Sequence, residues 1–115
     1  MSQWRTYHTE TGGTVSGPGI ATGAQQSTSY MNIDGPLDNS SDASAAGYMY
    51  LFNPASTTYV KCFYGQQQSM AYSGGPLSYI AAFGGYVNTT SAVTGVGFNI
   101  ASGTFSGSLK LYGIG

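Results

Sequence analysis

Charge is what this chain has least of. Three basic and four acidic residues make up 6% of its 115 positions, with a formal net charge of −1; an ordinary soluble domain carries about 25%. Solubility normally rests on interspersed charges. Here Gly, Ser, Thr, Asn, Gln and ten tyrosines must form the polar skin. Two settings suit such a surface: the exterior of a secreted or virion particle that touches glycans or neighbours, and a close assembly in which little of each subunit stays wet. The balance argues against a nucleic-acid partner, because Arg5, Lys61 and Lys110 are scattered and form no basic stripe.

Chemistry-bearing residues are equally sparse. Cys62 is the single cysteine, so neither an intrachain disulfide nor a thiolate metal site can form. It alternates with Lys61 and Phe63, and the expectation is a strand position where it acts as a small buried hydrophobe. The one histidine, His8, lies in an N-terminal segment with no G-x-S-x-G elbow anywhere in the chain, so no nucleophile–base pair is legible. Glu10 is the only glutamate, and Asp34, Asp38 and Asp42 fall within one turn-rich loop. Aspartate beside Gly, Pro, Asn and Ser does turn chemistry, and the spacing is not that of an EF-hand. No catalytic residue, metal or cofactor is assigned. Gly17 to Gly23 lacks the spacing and flanking elements of a phosphate loop, and the sequons at Asn39 and Asn88 read as chance. No apolar run reaches the length of a membrane helix. The opening MSQWRTYHTE has no basic stretch followed by an apolar one, so the expectation is that a particle or host lysis carries the protein outward, with no membrane partner.

Helix signals are almost absent, whereas Thr, Tyr, Val and Phe dominate the apolar runs, which are strand preferences. Expected strands are SYMNI (29–33), YMYLF (48–52) ending at Asn53-Pro54, TTYVKCFYG (57–65), QSMAYS (68–73), LSYIAAF (77–83), then SAVTGVGFNIA (91–101) and TFSGSLKLYGI (104–114). Gly74-Gly75-Pro76 is a turn, Gly84-Gly85 a break, and 34–47 a long loop. Seven or eight short strands between turn signals give an all-β fold: a single-domain antiparallel β-sandwich, jelly-roll-like. Residues 1–23 are expected to be an extended N-terminal arm or docking segment, within which WRTYHTE (4–10) alternates and reads as a strand or as extended arm, and 24–115 the sandwich.

The tyrosines are the best binding candidates, because Tyr offers large contact area at low entropic cost. Tyr48, Tyr50, Tyr64, Tyr72, Tyr86 and Tyr112 are candidate glycan or subunit contacts, although alternation alone would bury half of the strand tyrosines. Trp4, Arg5 and Tyr7 are the candidate docking residues of the arm, since large aromatics dominate interface energetics.

The C-terminal quarter carries Gly85, Ala92, Val93, Val96 and Phe98, then Gly103, Phe105, Gly107, Leu109, Leu111, Tyr112, Gly113 and Ile114. This order resembles a segment of bacteriophage virion proteins that ends in a G-x-φ-x-L-Y-G-I strand, φ being apolar. Leu51 to Pro54 also resembles that family's strand end. The resemblance implies a β-sandwich domain of a tail fibre, tail-tip appendage or capsid decoration protein, often a trimer. Phe105, Gly107, Leu109, Leu111, Tyr112, Gly113 and Ile114 would form the closing strand, with Leu109 and Leu111 in the core. The resulting expectation is a homotrimeric, non-enzymatic virion subunit. Capsid decoration is placed first, and a tail fibre or receptor-binding appendage touching host glycans second.

Overall fold

The computed structural model describes residues 37–72, 74–100 and 102–114 in full, together with the backbone of two strands nearer the N-terminus. It is all-β. Five strands, β1 (Ser2–Thr9), β2 (Val15–Ile20), β3 (Ala45–Leu51), β4 (Lys61–Tyr72) and β5 (Pro76–Val87), form one antiparallel sheet in the order β2-β1-β5-β4-β3. The strand expected over 29–33 lies outside the described residues.

β4 and β5 are the spine. They pair over twelve positions, from Lys61 opposite Val87 to Tyr72 opposite Pro76. The expected turn joins them, with Gly74 at φ 73°, a conformation that costs glycine little. Two expected interruptions are absent. The stretches 57–65 and 68–73 are one strand from Lys61, and β5 runs through Gly84-Gly85. The delayed start of β4 has a local cause: Ser56 Oγ accepts hydrogen bonds from the N–H groups of Thr58 (3.2 Å) and Tyr59 (3.0 Å), which holds those residues in a bend. Gly65 does not break β4 because it is a site of close approach. A Cβ on Gly65 would meet the Tyr48 carbonyl oxygen and lie 2.7 Å from Phe83 Cζ. β3 stops where expected: Asn53, at φ 47°, takes the left-handed conformation that Asn tolerates, and Pro54 follows.

Alternation along β4 and β5 separates two faces. Phe63, Ala71, Leu77, Tyr79, Ala81 and Phe83 are the buried apolar residues among those described. Lys61 shares their face and is 0% exposed; its Nζ donates to the carbonyl oxygens of Thr89 (3.1 Å) and Ser91 (2.7 Å). Cys62 is exposed on the opposite face, which corrects the expectation of a buried thiol. The strand is turned the other way because the Lys61–Phe63–Gly65 side, not the Cys62–Tyr64 side, meets Phe83 and its neighbours. The lysine is accepted there because two backbone carbonyls satisfy its ammonium.

The two ends of the chain behave differently. The segment 4–10, whose alternation fits either a strand or an extended arm, supplies a strand inside the sheet: β1 pairs with β5 at eight positions, Ser2 opposite Gly84 to Thr9 opposite Leu77, and with β2 on its other side. Extended, alternating backbone can join a sheet edge as readily as it can serve as a tether. At the other end, residues 88–100 and 102–114 form no strand. Phe105, Leu109, Leu111, Tyr112 and Ile114 are exposed, Leu111 at 90%, and neither leucine enters the core of the single chain. A strand needs a paired neighbouring edge for its backbone groups, and no described residue pairs with this segment as a strand would.

Candidate functional site

β3 reads AAGYMYL, followed by Phe52. Period-2 alternation puts Tyr48, Tyr50 and Phe52 on one side of it. The register sets Tyr50 opposite Tyr64 and Tyr48 opposite Gln66, and the Phe52 N–H donates to the Cys62 carbonyl oxygen at 2.9 Å. Side chains of one face on adjacent strands then meet. Tyr50 and Tyr64 have ring centroids 5.3 Å apart; Phe52 stacks on Tyr64 at 5.6 Å and 26°, and on Tyr50 at 6.4 Å and 22°. Tyr48 meets Tyr50 edge-on at 5.6 Å, and its hydroxyl donates to Gln66 Oε1 at 3.4 Å.

All four rings are exposed. They present roughly 500 Å² of aromatic surface, which matches the largest apolar patch on a typical monomer. Tyr86 pairs with Cys62 and extends the same face; it too is exposed. No charged residue lies on this face among the described residues of β3, β4 and β5. The backbone register also aligns Trp4 with Ala82, Gln66 and Tyr48 across the sheet, whereas Arg5 aligns with Ala81 and Tyr7 with Tyr79. The side chains of Trp4, Arg5 and Tyr7 lie outside the described residues.

The structure therefore gathers Tyr48, Tyr50, Tyr64 and Tyr86 from the candidate contacts. Tyr72 is at the far end of β4, eight residues and about 26 Å from Tyr64 along the strand, and Tyr112 belongs to the C-terminal segment. Phe52 is the contact that sequence reasoning missed, although the 48–50–52 alternation signals it. Far fewer of the strand tyrosines are covered than alternation alone would suggest: Tyr79 is buried, and Tyr48, Tyr50, Tyr59, Tyr64, Tyr72, Tyr86 and Tyr112 are exposed.

Among the described residues, no three of His, Cys, Asp and Glu come together as metal ligands would. Asp38 does turn chemistry: its Oδ1 accepts from the Ser40 N–H (3.0 Å) and the Ser40 hydroxyl (2.8 Å). Asp34 lies outside the described residues. What the site offers chemically is flat, uncharged aromatic surface with hydroxyl edges. That suits stacking and burial, and the exposed thiol of Cys62, paired with Tyr86, is the one strongly nucleophilic side chain on this face among the described residues of β3, β4 and β5.

Comparisons of the chain with models of protein families, with curated proteins and with solved structures find no match.

Proposed function

We propose that this chain is a bacteriophage virion structural subunit that works as a capsid decoration (cement) protein, as a homotrimer and without enzymatic activity. The observation that carries the reading is the uncharged aromatic face of β3 and β4 on a chain with 6% charged residues. Such a face gains free energy by being covered, at about 25 cal/mol per Å² of apolar area. A subunit that covers it across a seam of a shell favours the assembled state by mass action. The C-terminal resemblance supplies the virion context. In this reading the jelly-roll-like sandwich is completed when a second layer lies over the sheet in the assembly.

The geometry also favours a second reading, a tail fibre or receptor-binding appendage. The Tyr50, Phe52 and Tyr64 rings, with Phe52 within 26° of parallel to both tyrosines, form a platform of the kind on which sugar rings stack.

The test is position and consequence. Antibody against the protein should label the heads of intact particles, and adding the purified protein to shells that lack it should raise their thermal disruption temperature. Label confined to tails, with binding to host surface polysaccharide, would favour the appendage. No label on particles would end both readings.

A further inference from the structure

The C-terminal segment and the β3 edge are two unsatisfied surfaces of the same molecule. Residues 102–114 are exposed throughout, with Leu109 at 68%, Leu111 at 90% and Ile114 at 82%. Their sequence nevertheless alternates as a half-buried strand does: Phe105, Leu109 and Leu111 on one side, Ser106, Ser108 and Lys110 on the other. The apolar side chains from Val96 onward expose roughly 1,000 Å² per copy, so covering them between two copies gives an interface of the size that stable complexes bury.

The sheet has two edges, β2 and β3. β2 contains Pro18, which lacks an N–H and blunts an edge against further pairing. β3 has no proline and no charge, and is exposed through its first four residues. An edge of this kind is a template for an added strand. On its core side Met49 and Leu51 are only half-buried, so that layer ends unfinished beside Phe63.

We infer that residues 104–114 of one copy add as a strand to the β3 edge of a second copy. Phe105, Leu109 and Leu111 continue the core layer past Met49 and Leu51, and Lys110 and Tyr112 fall on the side of Tyr48 and Tyr50. Main-chain hydrogen bonds supply affinity and the alternate side chains supply register, as in strand addition generally. The occupant is a second copy because the segment's own chain leaves it uncovered while exposing a matching uncharged edge. Each copy gives a segment and receives one, an exchange that closes as a ring where the rotation between copies allows, with three copies in the proposed homotrimer. This inference rests on the reading of the chain as a self-associating subunit.

Two measurements on the full chain test it. The first is sedimentation of wild type and of the Leu109→Asp/Leu111→Asp double variant. Both leucines are exposed in the single chain, so the variant keeps the β-type circular dichroism of the wild type while its association weakens about 100-fold or more. Equal association of the two proteins, or a wild type that stays monomeric at high concentration, overturns the inference. The second uses a Cys62→Ser background. Tyr50→Cys in one tagged copy and Tyr112→Cys in a differently tagged copy are treated with a bis-maleimide, and a product containing both tags is expected. No such product, or joining only within single copies that carry both substitutions, overturns it. Failure of the virion reading looks different: the segment exchanges in solution as stated, but the protein is absent from particles.

Discussion

Replacing Gly65 with alanine should destabilise the sheet, and the same change at Gly84 should not. An ideal Cβ on Gly65 points between β3 and β4. It would overlap the Tyr48 carbonyl oxygen, approach Met49 Cα to 3.0 Å and reach within 2.7 Å of Phe83 Cζ. Two of those three atoms are backbone, so β3 must shift or Phe83 must leave its place in the core. Overpacking of this kind costs about 1–3 kcal/mol. Because backbone must move, the cost falls in the upper part of that range; the entropic gain of replacing glycine within a strand returns about 0.5–1 kcal/mol, which leaves a net loss of about 1–2 kcal/mol. At roughly 4 °C per kcal/mol for a domain of this size, Tm falls by about 4–8 °C. At Gly84 the nearest atoms to an added Cβ are the Phe63 carbonyl oxygen at 3.3 Å and Tyr64 Cβ at 3.4 Å, a fit that needs a few tenths of an ångström. The expected change is within about 0.5 kcal/mol. Thermal melts by far-ultraviolet circular dichroism, all at one protein concentration because association is linked to stability, measure both. Equal shifts for the two variants, or an unchanged Tm for Gly65→Ala, would refute the argument that Gly65 is present for close strand approach.

Three other outcomes follow from the same geometry. Lys61→Met removes two hydrogen bonds from a charged donor, each worth about 1.5–3 kcal/mol, but also removes the cost of burying an ammonium. Global stability should therefore change little, while the Val93 N–H, bonded to the Pro54 carbonyl oxygen at 2.8 Å, exchanges with solvent at least about tenfold faster; unchanged exchange at Val93 would separate Lys61 from the anchoring of residues 89–93. Cys62 should react with a neutral maleimide in the native protein without denaturant, and Cys62→Ser should shift stability by no more than about 0.5 kcal/mol; labelling only after unfolding would return the thiol to the covered face. Tyr50→Ser with Tyr64→Ser should leave the sheet folded, since both rings are exposed, and weaken attachment to shells or polysaccharide by about tenfold or more. Undiminished attachment would remove the aromatic face from the function.

Much of the site was legible in the alternation. YMYLF announces a strand with aromatic residues two apart, and that spacing is what places Tyr48, Tyr50 and Phe52 side by side. The partner of that row was not legible. Tyr64 joins it, and Tyr72 does not, because of a register that pairs Tyr50 with Tyr64, and register depends on how two distant segments meet. Likewise, Trp4 and Tyr7 alternate visibly, but only pairing with β5 shows that their segment is an inner strand.

From the sequence alone came the all-β character, the turn at Gly74-Gly75-Pro76, the stop at Asn53-Pro54 and the poverty of charge. These are local properties: backbone preferences and side-chain chemistry that each residue carries by itself. Tertiary structure decided which side of each strand was covered, putting Lys61 inside and Cys62 outside. It also made Gly65 and Gly84 points of contact instead of breaks, and left Leu109 and Leu111 uncovered in the single chain. Alternation states that a strand has two unlike faces; only the surface that meets it decides which face is buried.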